Sequence, residues 1–348
     1  MKKLIAILLT LVMLIGLLAG CASTPAAEET PAAAETPAAT EEPAAETPAA
    51  EEPAADDTKK LIYVTHGLED MFCNWLVKCV QQQIAENYPN YSLEILDGKL
   101  SSDVQAEQLE NAIAMNPDLI FYSAADGYSC TPVVQQAIDA GIPVVMLQAP
   151  TYDENDNPVC PYADCDMYEV GKMIATYAMD LIPENAQVAM LLGPAGNTHS
   201  QLRQKGWDEV LATRPDITVV DVQIGDWDTA EAMRITEDWL QQYPDLAAIL
   251  SMNDSMILGA IEAAKAAGRD LLFFGVDGMA DGCNAVKEGS LTATVLQDAR
   301  EIAKGGLELA TRCLNGEKLT GEDVLHVDAA LITPENVDEF IAIHAANS

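Results

Sequence analysis

The 348 residues carry 55 acidic against 18 basic side chains, a formal net charge of −37, and beyond residue 58 there are still 45 acidic against 16 basic. A surface of that sign repels phosphate backbones, which argues against nucleic-acid binding, and an anionic ligand would need a local cation. The roughly 290 residues beyond residue 58 are enough for one large or two medium α/β domains.

The chain opens with a basic Met1-Lys2-Lys3, an apolar stretch from Leu4 to Leu18, and small residues up to Gly20 before Cys21. That is the pattern of a secretory signal over residues 1–20. The stretch is short for a stop-transfer helix and no basic cluster follows it. Leu18-Ala19-Gly20-Cys21 resembles a bacterial lipobox, which implies cleavage before Cys21 and a diacylglycerol on its thiol. The expected protein is then extracytoplasmic and held to the cell membrane through Cys21. Residues 22–58 repeat Thr-Pro-Ala-Ala-Glu with a proline about every six residues and no basic side chain. Such a segment cannot bury a core. In an extended polyproline form its 37 residues would reach at most ~115 Å, so it reads as a tether.

From Lys60 onward short apolar runs alternate with helical patterns. Strands are expected at 61–65, 92–96, 119–123, 143–147, 187–192, 218–224, 247–252, 271–276 and 291–296, with helices between them, among them 74–87, 103–115, 168–181, 229–243 and 299–314. This alternation predicts parallel sheets covered by helices on both faces. Residues 148–166 break it, with Pro150, Pro158 and Pro161 and no periodicity, and form a candidate boundary between two lobes. The Asp153-Asn155-Asn157 spacing starts like a calcium loop but lacks its glycine and closing glutamate, so no metal is expected there.

Seven cysteines follow Cys21, an odd number, so at least one is unpaired within the chain. Cys73 and Cys79 lie six apart on an expected helix, about 9 Å along its axis and out of disulfide reach. Cys160 and Cys165 could close a small ring. No pair has zinc-site spacing, and buried thiols are the default reading.

The most informative stretch is 247–278. Two apolar strands flank a helical pattern, and one ends on Asn253-Asp254, the other on Asp277-Gly278. In open parallel sheets ligands sit beyond the carboxyl ends of the strands. Asn253 and Asp277 therefore either line a crevice or merely cap the helices that follow.

Residues 250–258, Gly275-Val276-Asp277-Gly278 and the run 291–297, supported by Gly141-Ile142-Pro143, Gly193-Pro194-Ala195-Gly196 with Arg203, and Gly225-Asp226-Trp227-Asp228, resemble the periplasmic sugar-binding family of the ribose- and galactose-binding type. Its members are the substrate-binding components of ATP-driven (ABC) importers. The resemblance covers about 61–333. It implies a type I periplasmic binding protein fold, α/β, with two Rossmann-like lobes joined by a three-strand hinge. The N-terminal lobe would be 61–165 with 298–326, and the C-terminal lobe 166–297 with 327–348. It also implies a ligand site made of Met71 and Phe72 as the stacking pair, Trp227 as the opposing aromatic, Arg203, Asn253, Asp277 and Gln297. A sugar has apolar C–H faces and a ring of hydroxyls, which suits aromatic plates and planar bidentate partners. Core packing is the alternative for Phe72 and Trp227.

Three departures touch specificity. The family's sugar binders usually carry an Asp-Arg pair after the fourth strand, and here Gln148-Ala149 stands. Met71 replaces one of two aromatics, and Cys165 stands where small polar residues are common. The ligand is thus a sugar or another small polar metabolite, such as a modified sugar or a nucleoside. The implied partners are that ligand, an ABC permease and the membrane through the lipid anchor, with no cofactor. A sensor docking on a signalling receptor would use the same fold. An enzyme is the weaker reading: there are four histidines, no nucleophile elbow, phosphate loop or His-Glu-x-x-His, and only a carboxylate-dependent hydrolase would remain.

Overall fold

The computed structural model describes residues 58–345. The signal sequence, Cys21 and nearly all of the tether lie outside the described residues. From Lys59 the chain alternates strand and helix: β1 (Lys59–Thr65), α1 (Met71–Asn87), β2 (Tyr91–Asp97), α2 (Ser102–Ala114), β3 (Leu119–Tyr122), α3 (Thr131–Asp139), β4 (Val144–Leu147) and β5 (Tyr162–Cys165). These strands form a parallel sheet in the order β11-β5-β4-β3-β1-β2, whose far edge, β11 (Val324–Val327), arrives from near the end of the chain. Its two faces bury separate cores. Leu61, Tyr63, Leu119 and Phe121 pack on α1 and on α9 (Ala299–Leu314), while Ile62, Val64, Ile120 and Tyr122 pack on the α2 and α3 side. The period-2 alternation of side chains along a strand makes that division, and burial on both faces explains why the inner strands β3 and β4 are apolar throughout.

The second half of the fold follows as α4 (Met167–Leu181), β6 (Gln187–Leu192), α5 (Thr198–Leu211), β7 (Thr218–Ile224), α6 (Thr229–Gln242), β8 (Leu246–Ser251), α7 (Asp254–Ala266), β9 (Leu272–Phe274), α8 (Ala280–Glu288) and β10 (Thr294–Leu296). Its parallel sheet runs β7-β6-β8-β9. Bridges Phe274–Ala293 and Asp277–Leu296 lay the β10 segment beside it, and β12 (Ala330–Ile332) pairs antiparallel with β10. The closing helix is α10 (Val337–Ala345).

The chain passes between the two halves three times: at Asp166 between β5 and α4, at Gln297-Asp298 between β10 and α9, and at Asp328-Ala329 between β11 and β12. Right-handed βα crossovers in each sheet leave all carboxyl strand ends facing this junction. Asp70, Ser101, Asp166, Asn197, Asp228, Asn253 and Asp298 each accept a backbone N–H as N-cap of the helix that follows. Each cap stabilises by about 0.5–2 kcal/mol and fixes where its helix begins.

Two details of the 148–166 segment bear on its aspartate and its cysteines. Asp153 turns its carboxylate inward, accepting from the amides of Asn155 (2.8 Å) and Asn157 (2.9 Å), so its oxygen shapes the loop. Cys160 and Cys165 are free thiols and form no ring, because Cys160 faces the α2/α3 core of the first sheet and Cys165 the core of the second half. All seven described cysteines are unpaired, and all but the half-buried Cys313 are buried.

Candidate functional site

The carboxyl ends of both sheets meet around a narrow cavity of about 30 Å³, well below the usual ~300–1,000 Å³ of ligand sites. From the second half, Arg203 reaches it from α5, Trp227 from the β7–α6 turn, Asn253 from the end of β8 and Asp277 from the turn after β9. From the first half come His66 at the end of β1, Asp70, Phe72 and Cys73 at the start of α1, and Gln148 after β4.

Arg203 is buried to 2% exposure, with Nη1 donating to the Met252 carbonyl and Nη2 against the Met167 sulfur. Its Nη2 lies 3.8 Å from Asp277 Oδ1, and its guanidinium carbon lies 5.7 Å from the Trp227 ring centre. The cation is thus balanced by a carboxylate on one side and by the electron-rich face of an indole on the other. Burial pushes the Asp277 carboxyl well up from its ordinary range, and the Arg203 charge pulls it back. Arg203 Nε is buried without a partner among the described residues. An orphaned guanidinium N–H beside a cavity is a donor still to be used.

Asn253 settles the choice between cap and wall by filling both roles. Its Oδ1 accepts from Met256 N at 2.9 Å as the N-cap of α7, while the residue lines the cavity. Asp277 caps nothing, since the N-cap of α8 is Met279 and makes no side-chain cap. It accepts instead from Gln297 Nε2. The neighbouring Asp254 is fully buried and ties the base of this wall together, accepting from Met279 N (2.8 Å) and the Thr294 hydroxyl (2.7 Å). Burial raises its carboxyl to about 7.

Backbone strain gathers here as well. Gln148 (φ 65°), Trp227 (φ 63°) and Asp277 (φ 118°) all lie in the region that side chains avoid, and all three line the cavity. Such conformations cost of the order of 1–3 kcal/mol each and persist where the surroundings impose them, often at ligand sites.

Two expected site residues stand elsewhere. Met71 is absent from the cavity wall and packs against the α1/α9 core of the first half. The stacking position is shifted by one: Phe72 and Cys73 face the cavity, because Asp70 is the N-cap and fixes α1 in that rotation. Gln297 is fully buried behind Asp277 and does not line the cavity, so it supports a wall residue. Phe72, Gln148, Arg203, Trp227, Asn253 and Asp277 do meet there. Sequence reasoning missed His66, Asp70, Asn197 and His199. His66 follows a strand end directly, the same signal that pointed to Asn253 and Asp277. Asp70 carried only the signature of a helix start.

Residues 62–318 match the model of a periplasmic binding protein domain, well over half of the chain. The chain belongs to the periplasmic binding protein family, in its ribose- and galactose-binding type. Family members are binding proteins rather than enzymes, and membership implies an extracytoplasmic location. Among relatives, a ribose import binding protein of Bacillus subtilis is 30% identical over 65% of this chain and 72% of its own length. A xylitol-binding protein of Mycolicibacterium smegmatis is 31% identical, over 71% of this chain and 70% of its own. A solute-binding protein of an ABC transporter from Bacillus halodurans, solved with bound myo-inositol, is 28% identical and superposes with a TM-score of 0.75, covering 83% of this chain and 99% of that one. Family and fold expected from the sequence are both present.

Proposed function

We propose that the protein captures a sugar or sugar-like polyol between its lobes outside the cytoplasm and delivers it to an ABC permease, tethered to the membrane through a lipid on Cys21. The lobes are taken as 61–165 with 298–326, and 166–297 with 327–348. The observation that carries the reading is the pairing of Trp227 and Phe72 with Arg203, Asn253 and Asp277 around one cavity at the strand ends. The aromatics offer apolar faces to C–H groups. Arg203 donates, Asp277 accepts, and the Asn253 amide nitrogen is free to donate while its oxygen caps α7. A ring bearing hydroxyls at its edge and C–H groups on its faces meets that set. The ligands named for the relatives, ribose, xylitol and myo-inositol, are all neutral polyols. The first-half wall differs from the usual pattern by lacking a charged pair at Gln148-Ala149, which favours a ligand with fewer hydroxyls demanding ionic partners on that side.

Isothermal calorimetry against pentoses, hexoses, polyols, cyclitols and nucleosides tests the reading. Saturable binding of at least one compound that is recovered unchanged is expected. No binding across the panel, or turnover of a bound compound, overturns it. Radiolabelled palmitate entering the wild-type chain but not Cys21→Ala would test the anchor.

A further inference from the structure

The two halves do not only face one another across the cavity; they hold one another directly. His199, near the start of α5 in the second half, reaches over the junction to Asp164 on β5, with Nε2 2.6 Å from Oδ2. The same nitrogen lies 3.0 Å from the backbone N–H of Ala149, just after β4. Both side chains are about 3% exposed. One nitrogen thus meets a donor and a carboxyl oxygen at once. Nε2 donates to Asp164 Oδ2 when it carries the proton and accepts from the Ala149 N–H when it does not, and in either state a buried hydrogen bond joins the halves.

Around this contact runs a seam of close backbone approach. Asn197 Nδ2 donates to the Ala125 carbonyl at 3.3 Å, and the Gly127 N–H donates to the Gly196 carbonyl at 3.3 Å. Glycine on both sides of it leaves room for neighbouring side chains. A β-carbon on Gly127 would stand 2.1 Å from a Thr198 methyl, and one on Gly196 would stand 1.9 Å from Asp126 Oδ2. Away from this seam, the Trp75 ring of α1 packs 4.8 Å from that of His344 on α10.

We propose that His199, seated on Asp164 and the Ala149 amide, is a latch that holds the two lobes closed through protein atoms alone, so that the protein populates its closed form without ligand. Every bond in the seam joins one half to the other through protein atoms, even though His199, Asn197 and Ala149 also stand at the edge of the cavity. His199 is therefore a positioning residue. It sets how often the binding-competent form exists and scales the affinity for every ligand by one factor.

Hydrogen exchange on the full-length protein without ligand tests this directly. The Gly127 and Ala149 amides should exchange slowly, and both His199→Ala and Gly196→Ala should speed them while the α4 and α6 amides keep their wild-type protection. Slow exchange at α4 and α6 shows that each variant has folded. Rapid exchange of Gly127 and Ala149 in the ligand-free wild type, or unchanged exchange in both variants, overturns the latch. A calorimetric comparison rests on the binding reading above: His199→Ala should weaken every bound ligand by a common factor, on the order of tenfold. Factors that differ from ligand to ligand would make His199 a recognition residue and overturn its role as a latch. Absence of any binding would defeat the functional reading while leaving the exchange result to stand.

Discussion

The two walls of the cavity are built to different standards. On the second-half wall each polar side chain is already fastened: Arg203 to Met252 and Met167, Asn253 to the α7 amide, Asp277 to Gln297, with Asp254 beneath bracing α8 and β10. On the first-half wall, among the described residues, neither the His66 ring nor the Gln148 amide makes a side-chain hydrogen bond, and burial lowers the His66 pKa so that its ring is held neutral. A fastened group costs little further entropy on meeting a ligand, whereas a loose one can adjust to several. The difference assigns affinity mainly to the second wall and choice among ligands mainly to the first.

Arg203→Ala should do the most damage. It strips the buried Asp277 of its cation and leaves the Met252 carbonyl unpaired, at a cost of about 3–5 kcal/mol in stability, with ligand affinity falling by at least ~2 kcal/mol. Chemical denaturation and calorimetry read the two losses separately, and wild-type affinity in the variant would break the division between the walls.

Asp254→Asn comes next and acts through pH. The folded carboxyl near 7 binds its proton more tightly than in the unfolded chain, where it titrates near 3.8. Its contribution to stability is therefore complete below about pH 4 and is lost as pH rises through about 7. The wild type should lose stability relative to the asparagine variant across that window, by on the order of a few kcal/mol. His66 is common to both proteins and cancels in the difference. Parallel urea midpoints as a function of pH would show it, and a constant difference would mean that Asp254 is charged in the folded state.

The smallest effect belongs to Gln148→Ala, which should change affinity by no more than about 1 kcal/mol but alter the order of preference among ligands. A uniform shift that preserved the order would move choice away from the first wall.

The sequence made the architecture readable where the pattern was long. Nine apolar runs between helical stretches all became strand segments, and the strand-end rule located Asn253 and Asp277. It missed β5, β11 and β12, and all three lie next to points where the chain crosses between the two sheets, outside the regular strand-helix alternation that marked the others. It failed also on rotation. Two residues on a helix are a turn of about 200°, and that is the difference between Met71 in the core and Cys73 at the cavity. The capping bond from Asp70 to Cys73 N, at 2.8 Å, sets the phase, and spacing alone does not reveal it. Gln297 belonged to the right strand end but one layer too deep, a distinction that only packing makes.

The seven unpaired cysteines give the fold a chemical role of its own. Burial drives the Cys79 and Cys283 thiols up to about 12 and raises Cys73, Cys160 and Cys165 as well, so the reactive thiolate is scarce in the finished molecule. In the unfolded chain the same thiols titrate near their ordinary value and are open to oxidants and to mispairing. For a protein that works outside the cytoplasm, folding is then also a race against oxidation: the chain that closes its core first keeps its sulfur chemistry silent, with no disulfide among the described residues to help it.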